Sequence, residues 1–420
     1  MSHAEPEVRL AGMFLSVYSA SVTRHITGGV FKSLKRNLVH LHTDTDASFR
    51  REIHGYTQKL FDRLRASTAT LSKGQSKHGA SIQSRLKFQK ESSKYETRLN
   101  NHSQQDPLTD AMAFVVWYIR FLQWEMRAPA SYQRRITALR SLIIVLRSGV
   151  DSGVPQSYLS KSAQGQLSWP HSLQIANPTL IRILLDLILD PFDDIRDAAI
   201  SILQLCLIAL PQAQKTAMLG TIPRFISRAE TAMLITGRAD QADGVARAYG
   251  LIFSLAGESQ TNLHDTQISS KLGVFEHLKR QLDVTLEIAR NNLSEAVNGR
   301  PVHGIYAALR YIVDQHGFYT GLSSAPEEAL ERWKQLHREV VASIELLWSY
   351  VYHVLCADAP EGHIPDEMDD ETSLDTKEVL SYSWRGVKEA RYVLYPDMCI
   401  ICLQLQYASP DCHFQSSYRP

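Results

Sequence analysis

The sequence predicts an all-α protein built from stacked helical hairpins. Three observations point there. Apolar residues recur at i, i+3, i+4 and i+7 through most of the chain. Apolar-polar alternation flanked by Asn-Gly or Asp-Gly turns is almost missing, so strands leave little signal. The helical segments come in pairs joined by turns or linkers, as in chains whose single hairpins cannot bury an apolar face alone.

The clearest hairpin is ILLDLILDPFDDIRDAAISILQLC, residues 183–206. Ile181, Leu184, Leu185 and Ile188 form one stripe; Ile195, Ala198, Ala199, Ile202 and Leu205 form the next. Asp190-Pro191 ends the first helix, because proline disfavours the helical region for the residue before it. Asp193 and Asp194 suit the head of the second, where free N–H groups favour carboxylates. Arg196 and Asp197, one turn in, face solvent or a neighbour. This unit resembles a HEAT repeat, so the fold class expected is a HEAT/armadillo-like α-solenoid of irregular helical hairpins.

Taken in order, residues 1–65 read as an N-terminal helical segment, with two helical patterns between Val30 and Arg65. Residues 66–105 are polar, basic and poor in large apolar side chains, and are expected to form a basic, mobile loop with a helix near Ile82 to Arg98. HEAT-like repeats then fill 106–356. Asp106-Pro107 opens a helix through Trp124, and SYQRRITALRSLIIVLRSG carries another to Gly149. Residues 150–177 form a loop; the quoted hairpin follows, then Ile222 to Thr236 paired with Ala242 to Leu255. Helices are expected over about Val274 to Asn298, Val302 to Gln315 and Pro326 to Cys356. An acidic linker (357–376), the start of a further repeat (377–394) and an atypical tail (395–420) complete the chain.

Apolar content of 44% and charged content of 21% place the 420 residues among water-soluble globular chains. A net charge of +1 gives no whole-chain argument for nucleic acid or membrane. The charge is uneven, however: between Arg24 and Arg98 stand 16 Lys and Arg against 6 Asp and Glu. No apolar run reaches the ~18 residues of a membrane span; Arg120 interrupts FVVWYIRFLQW. No membrane insertion is therefore expected. Five cysteines, an odd number, argue for a reducing compartment, and a cytoplasmic location is expected. Cys399, Cys402, Cys412 and His413 could be counted as zinc ligands, but the intervening residues are apolar, and buried thiols are the better account.

No Walker loop, GxGxxG, GxSxG, HExxH or EF-hand loop is present. No catalytic residue and no metal site is assigned. Arg134 and Arg135 stand at the head of a helix, after Ser131-Tyr132. They are either surface arginines packing their stems or contacts for phosphate or a partner. Lys73 to Arg98 interleaves cations with Phe88 and Tyr95, which suits either a solvated basic loop or a nucleic-acid track. In SYSWRGVKEARYVL (381–394), Trp384, Arg385, Lys388 and Glu389 lie on adjoining strips of one helix. Either Trp384 is core and Lys388 and Glu389 make local pairs, or Arg385 and Lys388 face RNA or a partner.

The W-R-x-x-K-E helix resembles the hallmark of the THADA (thyroid adenoma-associated) family, large proteins built around a domain once of unknown function. SYQRRITALRSL, ILLDLILDPFDDIRDAA, RADQADGVARAYGLIF (238–253) and RPVHGIYAALRYIV (300–313) are similar to family stretches in order and rough spacing, so the resemblance covers about 106–394. It implies a helical-repeat scaffold that lacks catalysis of its own. Fungal members join a separate tRNA methyltransferase catalytic subunit, which carries the S-adenosylmethionine site, to 2′-O-methylate the first nucleotide of the tRNA anticodon loop. The resemblance thus implies no cofactor on this chain, and methyltransferase and tRNA as partners. A general helical-repeat adaptor, for example in membrane-pump regulation or transport, is the alternative. Family members are far longer, and after Leu394 the text stops looking like them, so a fragment or an altered gene end is expected.

Overall fold

The computed structural model describes residues 1–88, 106–165, 168–256, 270–323, 326–356 and 376–394. The expected acidic linker (except residue 376), the atypical tail and the four zinc-ligand candidates lie outside these residues. Among the described residues every regular element is helical. The chain divides into two compact units, Met1–Ile188 with Phe192–Gln212, and Leu189–Pro191 with Ala213–Pro420. That division falls inside the run 106–356, which the sequence suggests as one continuous array.

Unit 1 holds α1 (Pro6–Val17), α2 (Gly28–His42), α3 (Ala47–Phe88), α4 (Pro107–Glu125), α5 (Tyr132–Arg147), the short α6 (Lys161–Gln164), α7 (Pro178–Ile188) and α8 (Asp193–Ala209). Helices α3, α5 and α8 pack side by side in one layer. Helix α4 closes a hairpin on α5, as α7 does on α8. Leu38, Ile53, Phe61, Phe114, Tyr118, Leu139 and Leu142 are buried between these helices. Burying an aliphatic or aromatic side chain contributes about 1.5–3 kcal/mol each, which holds the stack together.

Local chemistry sets the boundaries. Pro107 occupies the first turn of α4, and the Asp106 carboxylate accepts from the Leu108 N–H at 3.3 Å. Helix α7 stops before Asp190-Pro191, and α8 opens on Asp193, as the spacing predicts. Its buried stripe is Ile195, Ala199, Ile202, Leu203 and Cys206, with Leu205 only half-buried. Arg196 is buried too and holds Asp193 at 3.0 Å. The loop after α5 is fastened: Arg65 donates to the carbonyls of Ser148 and Ser162, and Trp169 Nε1 to that of Ser148.

The basic segment needs correction. Residues 66–88, expected as part of a mobile loop, continue α3 without interruption. Ala66, Ser67, Thr68 and Ala69 are buried, and the Thr68 hydroxyl donates back to the Leu64 carbonyl at 2.7 Å. Small side chains let the helix lie close against its neighbours, and hydroxyls bonded to the preceding turn place no free polar group in the packing. Polarity in this segment is therefore compatible with a buried helical face. Residues 89–105 lie outside the described residues.

Unit 2 holds α9 (Gln212–Leu219, its first residue at the division), α10 (Ile222–Thr236), α11 (Ala239–Leu255), α12 (Lys271–Asn291), α13 (Leu293–Gly299), α14 (Val302–Val313), α15 (Phe318–Ser323), α16 (Glu327–Leu355) and α17 (Thr376–Val393). Helices α11, α14 and α17 pack in sequence as one layer, with α10, α12 and α16 as their hairpin partners. The segment 274–298 is two helices, because Asn292 adopts an extended conformation and its side chain accepts from the Glu295 N–H at 3.1 Å. Helix α10 ends at Gly237, whose φ of +61° is left-handed.

Glycines set the spacing of the α11–α14–α17 layer. A Cβ on Gly304 would sit 3.1 Å from Ala242 Cβ, and one on Gly386 3.1 Å from Val302 Cγ1. Both belong to the family stretches, RPVHG and WRG. Their absent side chains let the three helices approach closely, so part of the motif is packing rather than contact chemistry.

Candidate functional site

The first pair of sequence candidates turns inward. Arg134 sets two guanidinium nitrogens on the Glu125 carboxylate, Nε to Oε2 at 2.8 Å and Nη2 to Oε1 at 2.5 Å. Glu125 has no exposed surface, and its other neighbour is the equally buried His42, whose Nδ1 lies 4.0 Å away. Burial, then His54 and then Arg134, holds the His42 imidazole far below its ordinary value, to about 3, so it stays neutral. Burial and the nearby Arg140 hold His54 down to about 4. Arg134 is thus the counter-charge of a buried carboxylate, joining the head of α5 to the end of α4. Arg135 is half-buried on the same turn.

The second group lies in unit 2, on α17. Trp384 is 57% exposed, which removes the account in which it is core. The Lys388 ammonium sits 5.1 Å from its ring centroid, a cation-π pair at the surface. Arg385 is half-buried and lines a polar cleft, whereas Glu389 points toward α14 and lies 3.3 Å from Arg310 Nε. Burial raises the Glu389 carboxyl above its ordinary value, and Arg310 and Lys388 oppose that rise.

Around Glu389 the structure assembles residues that sequence reasoning did not single out. Asp243 on α11 accepts from Arg247 Nε at 2.7 Å and from the Tyr311 hydroxyl of α14 at 2.7 Å. The Arg247 guanidinium stands 4.8 Å over the Tyr311 ring, and Arg310 stands 4.6 Å over the same ring. Arg310 also reaches the Tyr392 ring of α17 at 5.5 Å. Burial first, then Asp243, pushes the Tyr311 hydroxyl well above its usual range, so it remains a donor. The result is a ladder of alternating charge and aromatic surface across α11, α14 and α17.

Each rung comes from a different family stretch: Asp243 and Arg247 from RADQADGVARAYG, Arg310 and Tyr311 from RPVHGIYAALRYIV, Glu389 and Tyr392 from WRGVKEARY. The available signal was their presence in those stretches; their spacing along the chain gave none. Arginine stacked on tyrosine and paired to carboxylate is held in a defined orientation. The part-exposed outer members, Arg310, Glu389 and Tyr392, offer charged and aromatic groups that another macromolecule could meet.

Repeated helical hairpins packed side by side define the class: a helical-repeat protein. Two family models match the chain, one described as Trm732, TPR repeats, over residues 1–197, the other as THADA/TRM732, DUF2428, over residues 335–412. Both models describe domains of THADA/Trm732 proteins, which the chain resembles over those two stretches. It is 24% identical over 410 residues to the tRNA (32-2′-O)-methyltransferase regulator trm732 of Schizosaccharomyces pombe, covering 93% of this chain and 24% of that protein. It is 27% identical over 128 residues to the tRNA (32-2′-O)-methyltransferase regulator THADA of Drosophila melanogaster, covering 30% of this chain and 7% of that protein. The chain therefore spans about a quarter or less of the length of these relatives. No solved structure matches it. The matches extend beyond the motif-bearing range, beginning at residue 1 and passing Leu394 to residue 412. The helical-repeat fold expected from the sequence is the fold observed, and no helix among the described residues is long and apolar enough to cross a membrane.

Proposed function

We propose that the chain acts as a non-catalytic scaffold for a separate tRNA 2′-O-ribose methyltransferase that modifies the first nucleotide of the anticodon loop. The observation that carries this is the collinear match of two family models to a chain whose relatives are named as regulators of such an enzyme. The S-adenosylmethionine site belongs to the partner in this proposal. Doubly wound nucleotide-cofactor sites are built at the carboxyl ends of parallel strands, whereas the elements described here are helical. The work is placed in the cytoplasm.

Within this role, Trp384, Arg385 and Lys388 are the contact residues on α17, and Arg135 is the contact candidate on α5. Arg134 supports the α5 candidate within unit 1, and Glu389 the α17 group within unit 2. RNA is recognised largely through shape and phosphate, which the half-buried Arg385 and the exposed Lys388 can meet with positive charge. Ribose-methylation mapping of tRNA from cells lacking the gene tests the proposal. Loss of the methyl group at the first anticodon-loop nucleotide, restored by the gene, is expected. An unchanged methyl level, with the protein instead recovered on partners unrelated to RNA modification, would favour a general adaptor and overturn it.

A further inference from the structure

One feature of unit 2 lies apart from the ladder. The last turn of α10, the α13–α14 junction and the first half of α17 enclose a polar cleft of about 430 Å³. Arg300, Lys377 and Arg385 reach it from two elements, with Glu378 as the one carboxylate among its lining residues. Neither Arg300 nor Arg385 has an ion-pair partner among the described residues. Helix α14, twelve residues long, begins at this cleft, and its N-cap is Pro301, which offers no side-chain cap to the first-turn N–H groups. Such an end favours anions.

Two buried groups in the lining make the cleft more than a helix end. His303 is 9% exposed, and neither ring nitrogen has a hydrogen-bond partner. Tyr382 is 5% exposed, and its hydroxyl has none either. A buried polar atom left unpaired costs about 1–3 kcal/mol, so the cleft is built for something with oxygen acceptors. Burial, then Arg385, holds His303 down to about 4, so the ring is neutral at physiological pH and serves as a hydrogen-bonding group. No exposed aromatic ring lines the cleft to stack a base. The chemistry selects a phosphate group in preference to a nucleobase.

We propose that this cleft binds a backbone phosphate of RNA, with Arg300 and Arg385 as charged contacts and His303, Tyr382 and the α14 N-terminus lining its floor. The choice of RNA over another phosphate bearer rests on the function proposed above. The contact positions the RNA and carries no base specificity.

The test uses the full 420-residue chain and a labelled, unmodified tRNA transcript, with affinity measured across a potassium chloride series. Arg300→Gln and Arg385→Gln are each expected to weaken binding about 5-fold and to lower the slope of log affinity on log salt by about 0.7–0.9, the share of one phosphate contact. Arg385→Lys, which keeps the charge, is expected to retain the slope. Should either glutamine variant lose the wild-type helical signal or melting temperature, the corresponding Arg300→Met or Arg385→Met, which keeps the aliphatic stem and removes the charge, carries the same test. An unchanged affinity and slope in a well-folded Arg300→Gln/Arg385→Gln double variant sinks the site; if that variant still supports tRNA methylation, the scaffold function survives without it. If the wild-type chain binds no tRNA, alone or with the methyltransferase, the RNA assignment and the site fall together.

Discussion

In unit 1 the arginine after Ser131-Tyr132-Gln133 turns inward and clamps Glu125, a carboxylate with no exposed surface, beside the buried, neutral His42. In unit 2, the buried Arg247 and the part-exposed Arg310 stack on Tyr311 and pair with Asp243 and Glu389. Both arrangements pair arginine with a carboxylate on hairpin helices. In the first, the carboxylate has no exposed surface while its arginine is part-exposed; in the second, Arg247 is buried while the outer members Arg310, Glu389 and Tyr392 are part-exposed. The same side-chain chemistry is thus closed around one buried carboxylate in the first place and spread across three helices in the second.

The sharpest way to break this comparison is Arg134→Ala. It leaves Glu125 buried without its counter-charge, and a loss of about 3–5 kcal/mol in unfolding free energy is expected, read by urea denaturation followed by circular dichroism. A loss under about 1 kcal/mol, the usual scale of an exposed pair, would mean that the clamp is no different from a surface contact.

A smaller effect comes from acid. The folded value of His42, about 3, lies below the ordinary 6.5, so the unfolded chain binds its proton first. Its contribution is fully present above about pH 6.5 and is lost progressively as pH falls toward 3. By about pH 5 it amounts to about 2 kcal/mol. In His42→Leu, which packs an apolar side chain against Phe121, the acid limb of the stability profile should flatten by that amount. An identical limb in the variant would place the proton uptake elsewhere.

The smallest effect on stability belongs to Lys388→Ala. Lys388 is exposed and sits over an exposed ring, so a change within about 0.5 kcal/mol is expected. Retention of the methyltransferase subunit proposed as the partner, measured by co-purification, should nevertheless fall. A destabilised variant, or a stable one with undiminished retention, would put Lys388 with the clamp residues or with neither class.

Legibility in the sequence followed range of interaction. The hairpin at 183–206 could be read because its apolar period, its Asp-Pro stop and its acidic helix head act within a few residues of one another. The WRxxKE helix could be located for the same reason. The continuation of α3 past Arg65 could not, because Ala, Ser and Thr give weak apolar signals even where they are buried, as at residues 66–69. Arg134 was visible as a cation, but Glu125 is nine residues away on the preceding helix, and only the turn between them brings the two together. The rungs of the ladder are spread from residue 243 to 392, and no local pattern announces that Asp243, Tyr311 and Glu389 share a surface.

By itself, the chain's order of residues determined that it would be helical, where most hairpins turn, and which stretches resemble a known family. Period, proline and capping residues act through the backbone of their own turn and need no distant partner. Tertiary packing decided which charges are buried, which arginines meet tyrosines, and that His303 and Tyr382 close a cleft with Arg300 and Arg385. Burial and long-range pairing are properties of facing helices, and a linear order of residues does not say which helices face each other.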